Sequence, residues 1–216
     1  MKTRFLLFLF IFLGSTLTGQ TIYLKTGPTF SKLTWNNSMI NKNTFNKGIV
    51  GFDAIIGVNY LNFKYLCLSS NIGFIQKGGS QNVIMTNELG DSIATIKEIL
   101  KLNYLTINTT FNLKIPIIKF LEPYIVAGPR LDYLIRYKEN VVFLKQFEDV
   151  GKLSKISYGI LLGCGINCTI TKFRLGIAFD YYFNINKQVD FVSSSGVTNT
   201  IFDKTYAINA LIGYKF

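Results

Sequence analysis

A two-residue alternation runs through most of this 216-residue chain and constrains its fold more than any other feature. In segment 205–216, apolar or aromatic side chains occupy every even position, and mostly small or polar ones occupy the odd positions. Because successive side chains of a strand point to opposite sides, the pattern predicts a β-strand with one apolar and one polar face. The same alternation recurs in 104–115, 124–136, 156–168 and 173–184 and, less cleanly, in 21–35, 49–60 and 65–77. The chain therefore predicts eight strands.

The length of these segments, about 11 to 16 residues, indicates a membrane barrel. Strands of globular proteins average about 5–6 residues, whereas a tilted strand needs about 9–11 to cross the hydrocarbon of a bilayer. The links also alternate between short and long. The short links are 61–64, 116–121 and 169–172, and the long polar ones are about 36–48, 78–99, 138–155 and 185–204. This is typical of outer-membrane barrels, with tight periplasmic turns, longer external loops and an even number of strands.

The composition of the polar faces indicates which side of the sheet points inward. These faces are rich in Gly, Ser, Thr and Asn and carry both charge signs, which suits a narrow, closed interior better than a solvated surface. The predicted fold is all-β, an eight-stranded antiparallel up-and-down transmembrane β-barrel; the alternative is a lipocalin-like soluble barrel. The predicted lumen charge network comprises Lys25, Asp53, Lys114, Arg130, Asp132, Arg136, Arg174, Asp180 and Lys215.

That network has two interpretations. It could bind an anion or another ligand inside the barrel, or it could be a structural plug in which each buried charge exists because it finds a partner. The interior of an eight-stranded barrel is just filled by side chains, so an open pore is not expected. The plug is the favoured interpretation.

The first 19 residues predict a signal peptide. Lys2 and Arg4 form a basic region, residues 5–13 are uniformly apolar, and residues 14–19 are small or polar apart from Leu17. The apolar stretch is too short to span a bilayer, so a retained anchor is the weaker alternative. Cleavage near Gly19 divides the chain into a signal peptide, 1–19, and a barrel domain, 20–216.

Composition argues against several functional classes. The net charge of +11 comes from Lys and Arg residues scattered singly, so nucleic-acid binding is not predicted. The chain has no His, the side chain best suited to proton transfer near neutral pH, and we do not expect an enzyme. Its three Cys show no metal-ligand pattern, so neither a metal nor a cofactor is expected.

The C-terminus carries a candidate assembly signal. Phe216 is aromatic, and Tyr214, Ile212 and Ile208 precede it at alternate positions. This arrangement resembles the signal by which the outer-membrane assembly machinery recognises its clients. The alternative is that any last strand of a membrane barrel would look the same.

Five short motifs carry a resemblance to a known family. They are Leu24 to Ser31 (LKTGPTFS), Gly73 to Gly79 (GFIQKGG), Leu102 to Leu105 (LNYL), Tyr124 to Pro129 (YIVAGP) and Gly163 to Gly165 (GCG). In their order and spacing, the chain resembles the outer-membrane β-barrel family common in Bacteroidetes, which includes PorT-like proteins. The chain departs from the family at Asn108 and Thr109, where an extra Gly or a Pro is usual. The resemblance implies the fold, the outer membrane as location and, for some members, a part in protein secretion.

Three functions remain open at this level. The barrel could be a structural or interaction protein whose external loops, about 78–99 and 185–204, bind an envelope protein. It could be a PorT-like accessory to protein secretion, as the resemblance implies. The alternative is a small ligand-binding or channel-forming barrel. In each case the expected partners include outer-membrane lipid and the assembly machinery.

Overall fold

The computed structural model describes residues 20–37, 47–61, 63–89, 91–115, 120–140, 153–192 and 198–216. The predicted signal peptide, 1–19, lies outside the described residues. The strands are β1 (Thr21–Asn37), β2 (Ile49–Tyr60), β3 (Leu66–Thr86), β4 (Ser92–Lys114), β5 (Leu121–Asn140), β6 (Ile156–Ile170), β7 (Phe173–Asn184), β8 (Val189–Val192) and β9 (Thr198–Lys215).

These strands form one antiparallel sheet that closes on itself. The order is β1-β2-β3-β4-β5-β6-β7-β9, and β9 pairs back onto β1 from Thr21↔Lys215 to Asn37↔Asn199. The short β8 lies outside the ring and pairs only with the start of β9. The prediction of an eight-stranded up-and-down barrel is therefore confirmed. No helix of the described segments is both long and apolar enough to cross a membrane.

The two ends of the barrel differ. At the terminal end, the Phe216 N–H donates to the Gln20 carbonyl at 3.0 Å, and the links β2–β3, β4–β5 and β6–β7 are short. The tightest is Thr171–Lys172, where Thr171 adopts a φ of 57°, as two-residue hairpin turns require. The opposite end, called here the hairpin end, carries the longer connections β1–β2, β5–β6 and β7–β9, as the alternation of links predicts, together with the β3–β4 hairpin.

One predicted loop, 78–99, is corrected by the structure. β3 and β4 stay paired as far as Thr86↔Ser92, with a register shift after Met85, so most of 78–99 is strand and not loop. The Asn87 side-chain oxygen holds the turn between the two strands by accepting the Asp91 N–H at 2.7 Å and the Leu89 N–H at 3.1 Å. Alternation fades towards the tip because the part of the hairpin beyond the buried pair Gln81 and Glu98 has no lumen to face. The two strands of the hairpin therefore stay paired through their backbones, although their sequence lacks the alternation that would predict strands.

The two faces of the barrel wall have opposite chemistry. The outward side chains are apolar and substantially exposed, for example Ile177 at 67% and Ile208 at 46%, whereas the inward Asp53, Thr106 and Asp132 are each 0% exposed. A water-soluble barrel would show the reverse order. The structure thus confirms the predicted orientation, with apolar side chains outside and polar ones inside.

Glycines on the inner face make room for tyrosine rings. A Cβ atom on Gly57 would lie 2.6 Å from the Tyr23 hydroxyl, and one on Gly165 would lie 2.6 Å from the Tyr124 hydroxyl. Each ring therefore packs flat across the lumen over a glycine of a neighbouring strand. This explains why glycines recur among the polar residues of the predicted inner faces.

Candidate functional site

The inward charged residues form three groups along the barrel axis. The hairpin-end cluster consists of Lys77, Arg130, Asp132 and Asp203, whose charged side chains are buried. The Lys77 ammonium lies 2.9 Å from an Asp132 oxygen and 3.1 Å from an Asp203 oxygen. Arg130 reaches the same Asp132 oxygen at 2.5 Å. Strands from across the ring, β3, β5 and β9, are thus joined through two cations and two carboxylates.

Aromatic rings and an amide enclose this cluster. The Lys77 ammonium lies 5.3 Å from the Tyr104 ring centroid, and the Arg130 guanidinium lies 5.1 Å from that of Tyr182. Gln188, just before β8, is fully buried; its amide donates to Asp203 at 2.9 Å, and its oxygen accepts the Tyr104 hydroxyl at 2.7 Å. The segment after β7 therefore folds over the mouth of the lumen and is tied to the charges below it.

The middle cluster lies deeper in the barrel and joins β1, β2, β7 and β9. The Lys25 ammonium contacts Asp180 at 2.5 Å. The Asn209 amide donates to Asp180 at 3.0 Å and to Asp53 at 3.2 Å, and Asp53 also accepts the Tyr182 hydroxyl at 3.1 Å. Tyr182, which also stacks against Arg130, connects the middle cluster to the hairpin-end cluster.

The terminal-end cluster is smaller and borders an interior gap. Arg174 donates to Glu122 at 2.7 Å, and Lys114 is buried nearby. The gap between Lys25, Lys114, Tyr124 and Arg174 has a cavity volume of about 30 Å³, which is room for one or two water molecules. A gap of this size does not hold a substrate-sized ligand.

The structure buries seven of the nine predicted network residues: Lys25, Asp53, Lys114, Arg130, Asp132, Arg174 and Asp180. The other two, Arg136 and Lys215, are exposed. Between Asn103↔Arg136 and Tyr104↔Leu134 the register shifts, so Ile135 is an extra residue that turns Arg136 to the outer face. Lys215 keeps the inward position but lies in the last pair of β9, where the lumen opens to solvent.

Sequence reasoning missed three members of the network: Lys77, Glu122 and Asp203. Asp203 fell in a predicted loop and Glu122 just outside a predicted strand, whereas Lys77 closed a predicted strand. A signal was available for two of them. Asp203 continues the odd-numbered polar row of 205–215, and Lys77 continues the inward row that contains Asn71 and Ile75.

A second notable feature is the projecting hairpin, residues 81–98. β2 pairs with β3 only as far as Ile75, an isolated bridge joins Lys47 to Ser80, and β5 begins pairing with β4 at Ile99. Among the described residues, the two strands beyond these points pair only with each other. Four apolar side chains near the tip are highly exposed: Ile84 at 61%, Met85 at 46%, Leu89 at 87% and Ile93 at 67%.

Aromatic rings on the outer wall mark two levels. Near the hairpin end, Phe30 stacks on Tyr206 at 5.3 Å, and Phe52 lies 5.1 Å from Phe74. At the terminal end, Tyr214 contacts Phe173 at 5.6 Å and Phe216 at 5.1 Å. Tyr206 to Tyr214 spans nine residues of β9, about the length that a tilted strand needs to cross hydrocarbon. Two aromatic girdles around an apolar band are typical of membrane barrels.

The predicted assembly-signal residues lie on this outer wall. Ile208 and Ile212 are 46% and 52% exposed and face away from the lumen within the apolar band. Tyr214 and Phe216 are in the terminal-end girdle. The four side chains therefore lie on one face of β9, the outer one, as the alternation predicts.

Comparison with solved structures finds barrels of the same architecture. The outer membrane protein OprG from Pseudomonas aeruginosa is 12% identical, with a TM-score of 0.50 and coverage of 92% of this chain and 96% of OprG. Ail of Yersinia pestis is 15% identical, with a TM-score of 0.41 and coverage of 92% and 99%. At these identities the likeness concerns the fold alone.

Among curated proteins, no match to this chain is found. A family model described as the outer membrane protein beta-barrel domain matches residues 20–190, which is most of the chain. The match begins at the residue where the described structure begins and covers β1 to β7 in full. The chain therefore belongs to the outer membrane protein beta-barrel domain family and is a barrel of the bacterial outer membrane.

Proposed function

We propose that this protein is a non-enzymatic scaffold that holds the projecting hairpin outside the cell for binding to an envelope protein. The hairpin end then faces the exterior, and both chain ends face the periplasm. The observation that carries the proposal is the hairpin itself, which exposes four large apolar side chains to water beyond the hairpin-end aromatic girdle. Apolar surface of this kind on a soluble segment marks an interaction site.

The chemistry of the hairpin indicates what kind of partner it fits. Residues 82–97 of the described strands pair only with each other, and strand edges of this kind accept an added strand. The apolar tip favours a partner with a shallow hydrophobic pocket, and Glu88 and Asp91 beside the tip are exposed acids. An extended, partly apolar protein segment matches these features.

The filled lumen supports the scaffold in preference to a channel or a ligand-binding barrel. The buried ion pairs join strands across the ring, and buried charges that are paired and hydrogen-bonded fix a single arrangement of the wall. We infer that these clusters are a structural plug. The plug gives the hairpin a rigid base.

The plug predicts that the protein does not conduct ions. The purified barrel in a planar lipid bilayer is expected to show no discrete current steps, because the interior gap of about 30 Å³ is isolated by side chains. A regular single-channel conductance that scales with salt concentration would contradict the plug and favour the channel alternative.

The hairpin proposal predicts a partner that depends on the apolar tip. A photoreactive residue at Met85 is expected to crosslink an envelope protein in living cells. The double variant Leu89→Ser, Ile93→Ser is expected to lower the yield about tenfold or more, since burial of each side chain contributes about 1.5–3 kcal/mol. Ile170→Ser, at the terminal end with 59% exposure, is the matched control. Equal yields in all three proteins would refute the proposal.

The resemblance to PorT-like proteins suggests which machinery the partner belongs to. We infer a role as an accessory to protein secretion, with recognition of Ile208, Ile212, Tyr214 and Phe216 by the outer-membrane assembly machinery during biogenesis. Export through a signal peptide ending near Gly19 is part of the same proposal. Sequencing the N-terminus of the mature protein tests the cleavage site, and secretion by a deletion strain tests the role.

A further inference from the structure

Two pairs of lysines lie directly opposite each other across neighbouring strands. Lys32 of β1 is in register with Lys204 of β9, and Lys101 of β4 is in register with Lys138 of β5. Lys32, Lys138 and Lys204 are exposed, and Lys101 is half-buried. Side chains directly opposite on adjacent antiparallel strands have Cβ atoms about 4.5–5.5 Å apart. Each pair therefore places two lysine side chains next to each other on the outside of the barrel.

The height of these pairs on the wall is defined by the aromatic girdle. Phe30 and Tyr206 stack one outward position below Lys32 and Lys204, about 7 Å along each strand. On the other side of the barrel, Tyr133 lies on the outer face below Arg136 and Lys138. Both pairs therefore lie just beyond the apolar band, at the level of lipid headgroups.

Charge of one sign accumulates at this level. The outward charged side chains described here are Lys32, Lys97, Lys101, Arg136, Lys138 and Lys204. Among the acids whose side chains the structure describes in this half of the wall, Glu98, Asp132 and Asp203 are buried, and Glu88 and Asp91 lie at the hairpin tip. The bulge at Ile135 adds one more positive charge to the outer face, because it turns Arg136 outward to the same face as Lys138.

Like charges placed directly opposite each other destabilise a sheet, and here two such pairs share one rim on which the outward charged side chains whose burial is described are basic. An anion between the ammonium groups would reverse that repulsion. We propose that the two lysine pairs bind the phosphate groups of the phosphorylated glycolipid that forms the outer leaflet of the outer membrane. The inference rests on the proposed orientation, which places the hairpin end at the outer leaflet. The site itself consists of the two lysine pairs.

Position distinguishes this ligand from other polyanions. A nucleic acid or an acidic protein would approach from the aqueous side, where the projecting hairpin shields part of the rim. A lipid headgroup reaches the lysines with its acyl chains against the apolar band beneath them, which includes Ile208 and Leu131. Phosphate is the headgroup chemistry that two close ammonium groups favour most, through charge-assisted hydrogen bonds.

The test measures binding of lipid A, the phosphorylated anchor of that glycolipid, to the full barrel in detergent by native mass spectrometry, with a chelator present to remove bridging cations. Lys32→Gln with Lys204→Gln removes one pair, and Lys101→Gln with Lys138→Gln removes the other. Each double variant is expected to lose one of the two bound lipid A molecules, because the affinity of the altered site falls about 30-fold when each basic side chain near an anionic headgroup contributes about fivefold, while the other pair keeps its lipid. All variants are expected to keep heat-modifiable gel migration, since these side chains lie outside the lumen.

The matched control removes two lysines from the opposite end. Lys64 and Lys172 are exposed in terminal-end turns, so Lys64→Gln with Lys172→Gln changes the net charge by the same amount. This variant is expected to bind lipid A within about twofold of the parent, and dephosphorylated lipid A is expected to bind all proteins equally weakly. Equal losses in the control, no preference for the phosphorylated form, or full displacement by inorganic phosphate would each overturn the proposal. None of these outcomes depends on whether the hairpin binds a protein partner.

Discussion

Replacing Lys77 with methionine is expected to lower the free energy of unfolding by about 3–5 kcal/mol. The Lys77 side chain is 0% exposed and lies within 3.1 Å of both Asp132 and Asp203. Methionine keeps much of the volume but removes the charge, which leaves two buried carboxylates with Arg130 as the remaining cation of the cluster. Urea titration of the barrel folded in lipid vesicles, followed by gel migration without heating, measures the change.

Two further variants make this result specific. Lys97→Met removes an exposed lysine from the projecting hairpin, and its effect is expected to stay within about 0.5 kcal/mol. Adding Asp203→Asn to Lys77→Met is expected to restore part of the loss, because it removes one unpaired carboxylate from the cluster. If Lys77→Met and Lys97→Met are equally stable, the hairpin-end cluster does not stabilise the barrel.

Replacing Ile177 with arginine is expected to cost about 2–4 kcal/mol in lipid vesicles. Ile177 is 67% exposed on the outer wall of β7, between the two aromatic girdles, where hydrocarbon and not water surrounds it. A guanidinium there loses its hydration without gaining a partner. The same urea titration measures the cost.

The chain offers a closely matched control for this prediction. Ile93 is also an isoleucine in a β-strand and is also 67% exposed, but it lies on the projecting hairpin beyond the girdle. Ile93→Arg is expected to change the free energy of unfolding by less than about 0.5 kcal/mol. A similar cost at both positions would mean that the apolar band does not contact lipid.

The sequence predicts the barrel wall well because lipid and lumen impose opposite chemistry on alternate residues. Wherever both environments are present, as in 173–184 or 205–216, the two-residue period fixes strand, face and register together. The hairpin beyond Gln81 and Glu98 has neither environment, so its strands carry no such period and were predicted as a loop. The same reason applies to β8 and the first residues of β9.

The sequence predicts the residues of the interior charge network less well than the strands of the wall, and each error has a local cause. A single extra residue, Ile135, reverses the face of the β5 residues that follow it, and the alternation of the sequence does not predict such a bulge. Gln188 was missed because it belongs to a connection, yet its amide closes the lumen over Asp203. Pairings across the ring, such as Lys25 with Asp180, depend on how the barrel closes and on its shear, which strand periodicity does not encode.

The pairing of β9 with β1 joins the last part of the chain to the first, and this sets the order in which the wall can be completed. Until β9 arrives, β1 and β7 each present a full row of unbonded peptide groups, which hydrocarbon cannot solvate. Seven strands therefore have no stable resting state in the bilayer. We therefore expect insertion to be completed only when the final eighteen-residue strand has paired with both of its neighbours.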